Sequence, residues 1–287
     1  MKYTFAKNYK DDDTLRTSFN HLAGETFGLN FTDWYNNGFW GDGYIPYSLV
    51  DKGEVISNVS VNIMDFSLDG DDKHFIQLGT VMTHKDYRGQ GLSRYLMEKV
   101  IEEYESKVDG FYLFANDTVL DFYPKFGFVK SKEYQYSKDV VPLGALKTIE
   151  DFDMKTKENW TMFLEAVKNS VCNDRFNVKN LGLIAFYTMN SNLVYYLEKE
   201  SCYAMAEVSK DTLFLQQIIA DHKVDLDKVI DAFGPEVKKV LLGFTPINGE
   251  GYHLEEVQEE NSTLFIRGKG LEVIEKKRLM FPVLSHA

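Results

Sequence analysis

Residues 78–94 read LGTVMTHKDYRGQGLSR and hold the groups in this chain best suited to gripping a polyanion. An apolar strand runs into a turn with two glycines, and a helix opens directly behind it. A helix N-terminus presents unpaired N–H groups and the positive end of the macrodipole. Gly89 and Gly91 let the backbone close on a ligand with no Cβ between them. Arg88 and Arg94 add two permanent charges suited to phosphate oxygens. The run Arg88, Gly89, Gln90, Gly91, Leu92, Ser93 and Arg94 is therefore a candidate diphosphate cradle. Read alone, an RGxG run is equally a tight turn.

A second stretch, residues 111–129, reads FYLFANDTVLDFYPKFGFV. It suggests a strand over 111–115, a short helix, and then Phe122-Tyr123-Pro124-Lys125-Phe126-Gly127-Phe128. The succession strand, glycine turn, helix, strand, helix and FYxxxGF resembles the acetyl-CoA-binding core of the GNAT N-acetyltransferases. Their pyrophosphate signature, Q/R-x-x-G-x-G/A, falls here on Arg88, Gly91 and Ser93. Ser93 departs from the usual Gly or Ala and is small enough to replace either. The resemblance is specific over about residues 50–135.

That resemblance implies an α/β (α+β) fold, a mixed central sheet flanked by helices, with acetyl-CoA as co-substrate. It implies that the strand before the turn splays from its neighbour. The backbone of Val81, Met82 and Thr83 would then receive the pantetheine arm and polarise the thioester carbonyl. Asn116 would lie near the pantetheine. Tyr123 would be the general acid that reprotonates the departing thiolate, since a phenol of pKa ~10 is protonated at neutral pH. From the residues alone, Tyr123 is equally a packing side chain between Phe122 and Phe126, and Asn116 a helix N-cap.

The elements that must position these groups follow from periodicity. Residues 14–27 read as an amphipathic helix with Leu15, Phe19, Leu22 and Ala23 on one stripe and Thr14 as its cap. Strands are expected over 45–50, 54–66 and 74–82, with the acidic tract 69–72 as a loop. A helix over 92–104 places Leu92, Leu96, Val100, Ile101 and Tyr104 on one face. Residues 135–150, interrupted by Pro142 and Gly144, read as a linker. A second unit follows, with a helix over 158–170, strands over 181–187, 193–198, 203–208 and 212–220, and a helix over 226–233. Asp225 is the N-cap of that last helix and Gly234 its stop. Further strands fall near 237–244 and 263–267. This order repeats the first half, but its loop DHKVD, residues 221–225, has neither glycine nor arginine. We read residues 1–140 as the acetyltransferase domain and 141–287 as a degenerate GNAT-like copy; an unrelated α+β cap is the competing reading.

Bulk properties narrow the partners. The chain has 287 residues, 44 % hydrophobic and 26 % charged, which suits soluble domains. Its net charge of −12 makes nucleic acid a poor partner; an acidic surface would favour a cationic substrate such as an amine, but the same charge more often serves solubility alone. No apolar run approaches the roughly 20 residues of a membrane span. The opening MKYTFAKNYKDDD has no apolar signal core, and Cys172 and Cys202 have no metal or redox spacing. The expected location is cytoplasmic with reduced thiols, and the six histidines show no metal-ligand spacing.

The acceptor is the open question at this level. Residues 31–47 concentrate aromatics, and Trp34, Tyr35, Trp40 and Tyr44 are candidates to wall an amine site or to pack a core. An alkyl amine of pKa ~10.4 is almost wholly protonated at pH 7, and neutralising it costs about 4.6 kcal/mol. Candidate bases are His84, which is equally a cap beside the turn, and Asp33 and Asp42. The chain's C-terminal carboxylate is a further candidate, as in tandem acetyltransferases of the enhanced intracellular survival family. The expected activity is acetyl transfer to a primary amine of a small molecule or peptide. A non-catalytic acyl-CoA sensor and a protein lysine or N-terminal acetyltransferase are the alternatives, and self-association is compatible with each.

Overall fold

The computed structural model describes residues 2–141, 147–178, 180–189 and 193–286. Its first half contains β1 (Thr4–Lys7), α1 (Asp13–Phe27), α2 (Thr32–Asn36), β2 (Tyr44–Asp51), β3 (Glu54–Leu68), β4 (Asp71–Thr83), α3 (Leu92–Tyr104), β5 (Gly110–Ala115), β6 (Val129–Lys130) and β7 (Tyr134–Asp139). The rest supplies β8 (Ile149–Asp151), α4 (Lys157–Asn169), β9 (Phe176–Val178), α5 (Leu181–Thr188), β10 (Val194–Leu197), β11 (Cys202–Ser209) and β12 (Thr212–Ile219). It closes with α6 (Leu226–Asp231), β13 (Lys239–Leu242), β14 (His253–Glu256), β15 (Thr263–Arg267) and α7 (Val273–Lys276).

Among the described residues these strands form two mixed sheets. The first runs β1-β2-β3-β4-β5-β15-β6, with β9 also paired to β3. The second runs β14-β7-β13-β12-β11-β10-β8. Their cores repeat one plan. β1 to β4 are antiparallel neighbours and β5 joins β4 in parallel. β8, β10, β11 and β12 are likewise antiparallel, and β13 joins β12 in parallel. The helix before each parallel strand, α3 or α6, makes the crossover that parallel pairing requires.

The two halves then exchange strands. β15 lies antiparallel between β5 and β6, and β7 lies antiparallel between β13 and β14. Strand membership therefore crosses residue 140 in both directions. β15 enters a sheet interior because it is apolar on both faces. Phe265 packs into the cluster beneath α3, and Leu264 and Ile266 pack into the cluster on the opposite face. The close fit is measured at Gly110, where β5 begins. A Cβ built there would stand 2.8 Å from Leu271 Cδ1 and 2.9 Å from the Arg267 carbonyl. Gly110→Ala should lower stability by about 1–3 kcal/mol through overpacking, read by denaturant unfolding. An unchanged midpoint would mean that β15 does not hold this seat.

Several local expectations are corrected. The run LGLIAFYT, expected as a strand over 181–187, is the helix α5, capped by Asn180, whose side chain accepts from the Leu183 N–H at 3.0 Å. A short run apolar on every side fits either element by periodicity. α5 sits where three clusters meet, so it buries Leu183, Ile184 and Phe186 in different directions. α1 is capped by Asp12, extended at φ −90 and ψ 105, and not by Thr14. The tract 69–72 is not a four-residue loop. β3 ends at Leu68, β4 starts at Asp71, and Asp69 and Gly70 alone turn the hairpin at φ 50 and 93. The stretch read as a linker contains β7 and the start of β8, while Pro142 and Gly144 lie outside the described residues.

Candidate active site

The glycine turn forms as the sequence suggests. A short 3-10 turn over 85–87 is capped by His84, whose Nδ1 accepts from the Asp86 N–H at 3.3 Å. Gly89 and Gly91 follow at φ 77 and 75, and Gly91 caps α3 with no side-chain bond to its first turn. The opening N–H groups of α3 therefore face outward, beside exposed Arg88, Gly89, Gln90 and Arg94. A Cβ at either glycine would meet no protein atom within 4 Å, so the backbone angle requires them and the space in front stays open. The turn is braced from behind. Ser93 Oγ and Thr83 Oγ1 are 2.7 Å apart, Tyr3 donates to Gln90 Oε1 at 2.9 Å, and Arg88 Nε donates to the Thr83 carbonyl at 3.1 Å. Arg94 pairs with Glu98 in an exposed contact at 3.1 Å through Nε, and its terminal nitrogens have no partner among the described residues.

β4 and β5 part in front of this turn. Their parallel ladder covers Phe75↔Gly110, Ile76↔Phe111 and Gln77↔Tyr112 and then stops, although both strands continue. Beyond Gln77 the edge of β4 that faces β5 has no ladder. On the other edge, β4 keeps pairing with β3, with an irregularity between Asn58 and Ser60. Opposite it, Thr80 holds φ 42, a costly angle for a β-branched residue. Three side chains fix it. Thr80 Oγ1 donates to Ser60 Oγ at 2.6 Å and lies 2.9 Å from the Tyr44 hydroxyl. Asn58 Nδ2 donates to the Thr80 carbonyl at 2.9 Å. Of the three residues expected to meet pantetheine, Val81 is half-buried against the α3 cluster. Met82 is buried among the aromatics, and Thr83 holds Ser57 and Ser93. Thr80 was missed because a threonine in an apolar run reads as ordinary strand.

A cavity of about 400 Å³ adjoins the fork. Gly79 and Thr80 line one side, Trp34 and Tyr44 another, and α5 closes a third through Leu183, Phe186 and Tyr187. Trp34 Nε1 donates to the Gly182 carbonyl at 2.7 Å, which fastens α5 to the N-terminal half. His286 completes the wall. Its ring stacks on Phe114 of β5 at 3.7 Å, and its carbonyl accepts from the Tyr187 hydroxyl. The chain before it is anchored on β5 as well, with Phe281 stacked on Tyr112 at 4.1 Å and the Tyr112 hydroxyl donating to the Ser285 carbonyl at 3.2 Å. Burial pushes the His286 imidazole down to about 4, so it is neutral at physiological pH.

The four aromatic candidates divide. Trp34 and Tyr44 reach the cavity. Trp40 is buried at 3 % exposure and donates to the Tyr44 carbonyl, so it packs the wall from behind. Tyr35 faces away, with the Arg16 guanidinium 3.7 Å from its ring centroid. The candidate bases divide too. Asp33 is exposed on α2, and Asp42 is exposed and paired with Lys10 at 2.6 Å. Neither lines the cavity, and His84 serves as the cap described above. The terminal carboxylate, on Ala287, lies outside the described residues. Asn116 caps the turn after β5, its Oδ1 accepting from the Thr118 N–H at 3.0 Å.

Tyr123 lies under the turn of FYxxxGF, at 6 % exposure against Phe122, Phe128 and Phe265. Its hydroxyl makes no hydrogen bond among the described residues. Burial pushes its pKa up to about 12, which keeps the phenol protonated.

The sequence profile of the acetyltransferase (GNAT) family matches residues 12–128. That span carries the fork, the pairing irregularity at Thr80, the turn and Tyr123. Residues 12–128 form a GNAT domain. Acyl transfer is the general chemistry of that family, and the chain is an acyltransferase. Solved structures share the fold over nearly the whole chain. A probable N-acyltransferase from Enterococcus faecalis superposes with TM-score 0.62 at 14 % identity, over 94 % of this chain and 74 % of its own. A GCN5-related N-acetyltransferase from Kribbella flavida gives 0.57 at 17 %, over 92 % and 72 %. Eis1 from Mycobacterium abscessus gives 0.55 at 14 %, over 91 % and 72 %. No curated protein sequence matches the chain.

Part of the cavity wall lies outside the GNAT domain. Asn180, Gly182, Leu183, Phe186, Tyr187 and His286 come from beyond residue 128. Only Asn180 as a cap position hinted at a helix, and nothing local tied it to residue 34. Among the described residues, no three His, Cys, Asp or Glu side chains are grouped to hold a metal, and no helix is long and apolar enough to cross a membrane.

Proposed function

We propose that the chain is an N-acetyltransferase that passes the acetyl group of acetyl-CoA directly to a primary amine. The observation that carries this is the N-terminus of α3, which has no side-chain cap bond, behind Gly89 and Gly91 and beside the fork of β4 and β5. The diphosphate would take the opening N–H groups of α3, with Arg88 and Arg94 as counter-charges. The pantetheine arm would pair with the open edge of β4, bringing the thioester to the mouth of the cavity. The amine lone pair attacks the thioester carbonyl, a C–N bond forms and the C–S bond breaks. The sulfur leaves with a proton hydrogen-bonded from Tyr123, and the proton given up by nitrogen restores the phenol. A phenol at about 12 faces a thiol near 8.5, so complete transfer to a free thiolate is uphill by about 5 kcal/mol. The nitrogen proton, released in the same step, makes the net transfer favourable.

The cavity is small and walled on one side by α5 and His286, which supports a small-molecule acceptor over a lysine presented on a protein. Calorimetry with coenzyme A tests the cofactor half of the proposal. The wild type should release heat on binding, and Arg88→Glu should weaken affinity at least tenfold, the loss of one charge-assisted contact plus a new repulsion. No heat with the wild type, or equal affinities, would overturn it.

A further inference from the structure

Successive side chains of a regular strand alternate between its two faces. β4 breaks that rule at the fork. Leu78 and Val81 both pack into the cluster beneath α3, while Gly79 and Thr80 both line the cavity. The register accounts for this. Ser60 pairs with Gly79 and Asn58 with Met82, so β3 spends one residue, Val59, where β4 spends two, Thr80 and Val81. One extra residue reverses the alternation beyond it, and with it the direction of the backbone N–H groups. Side chains hold this extra residue in place. Asn58 is fully buried, and its Nδ2 donates to the Thr80 carbonyl and to Ser60 Oγ, each at 2.9 Å. Its Oδ1 accepts from Ser48 Oγ at 2.8 Å. The Ser48 proton is committed there, so the Tyr9 hydroxyl donates to Ser48 Oγ, at 2.6 Å. Tyr9, Ser48 and Ser60 are buried as well. Apolar side chains in this sheet interior would hold a regular ladder. Buried polar groups are tolerated when they are satisfied, and these are satisfied by holding an irregular one.

Resting on the acetyl-transfer reading above, we infer that Asn58 is a positioning residue for the thioester. By holding the Thr80 carbonyl it fixes which backbone N–H groups of β4 point to the open edge, and so where the acetyl oxygen finds its donor. Asn58 is buried behind Thr80 and acts through it. Thr80 sits at φ 42, an angle that a β-branched residue avoids. Without the bond to its carbonyl, Thr80 relaxes toward extended angles, and β4 recovers a regular alternation against β3. The N–H that faced the thioester is then turned away. A donor serves the developing oxyanion only from about 2.7–3.1 Å, and a misplacement of about 1 Å can cost a hundredfold in rate. Ser48 decides the sense of the amide. With Oδ1 held by the serine hydroxyl, Nδ2 must face Thr80.

Infrared spectroscopy of the full chain with acetyl-CoA labelled at the carbonyl carbon reads the donor directly, with no acceptor present. The thioester C=O band should lie lower on the wild-type protein than in free acetyl-CoA, and Asn58→Ala should return it to the free position. With phenethylamine as the acceptor, Asn58→Ala should lower kcat about thirtyfold. The affinity for coenzyme A, set by the turn at 88–94, should hold within about threefold. An asparagine that served stability alone would lower the melting temperature and leave the band unmoved. Thr80→Gly separates the two roles further, because glycine takes φ 42 without strain. In that background, adding Asn58→Ala should lower kcat by less than about threefold, the sign of coupled sites. If Asn58→Ala does not fold, Ser48→Ala frees the amide to turn; it should move the band part of the way and lower kcat about threefold, the loss of one neutral hydrogen bond. A band at the free position on the wild type, or an unmoved band in the variant that folds, would overturn the inference, while acetyl transfer by the wild type would still stand. If the protein binds no coenzyme A, both readings fall together.

Discussion

Tyr123→Phe should lower kcat for amine acetylation about a hundredfold, the lower end of what one positioned acid contributes. The KM for acetyl-CoA should stay within a few-fold, because the cradle over residues 88–94 is untouched. Stability should hardly change. The hydroxyl bonds no protein group among the described residues, and the ring that remains keeps its contacts with Phe122, Phe128 and Phe265. This combination separates the two readings of the residue. A packing tyrosine gives equal rates in the two proteins, and equal rates would remove Tyr123 from the chemistry. A loss confined to kcat, with unaltered unfolding, assigns the hydroxyl to the step in which sulfur departs.

The second large effect concerns Glu133, between β6 and β7. It is 6 % exposed, and burial pushes its carboxyl up from 4.5 to about 8. One oxygen accepts from the Phe281 N–H at 2.6 Å, and nearby Glu259 pushes in the same direction as burial. Below pH 4.5 the carboxyl is protonated in both folded and unfolded chains and costs nothing. As pH rises toward 8 the unfolded chain ionises and the folded chain does not, so stability falls and then levels off. The gap corresponds to about 5 kcal/mol at most. Glu133→Gln keeps an acceptor for Phe281 and removes the titration. Its melting temperature should match the wild type near pH 4.5 and exceed it on the order of 10 °C at pH 8. A difference that does not change with pH would sink this reading. The effect bears on function because Phe281 lies on the segment that carries His286 to the cavity.

How much of this was legible in advance depended on how local the cause was. The helix α3 matched its expected span of 92–104, and the caps at Asp225 and Asn116 formed as read, because each depends on a few consecutive side chains. α5 was misread because its apolar run offers no polar face, and only its burial among three clusters makes it a helix. Trp34 and Tyr44 were singled out with Tyr35 and Trp40, and composition could not separate them. The separation came from which ring faces the fork and which is covered by its neighbours.

The exchange of β7 and β15 lay beyond any pattern in the chain. Both read as ordinary strands, and strand partners are chosen by which sheet edge is open when the halves meet. By itself, the amino-acid order determined the glycine turn and the helix start behind it. Two glycines, a helix start and two arginines fall within seven residues, and the one distant brace among the described residues is Tyr3 on Gln90, 87 positions away. The cavity was decided only by tertiary structure, since its walls join Trp34 to Gly182, 148 positions apart. Contacts of that reach arise from shared burial of apolar surface, which is non-directional and leaves no mark on local spacing.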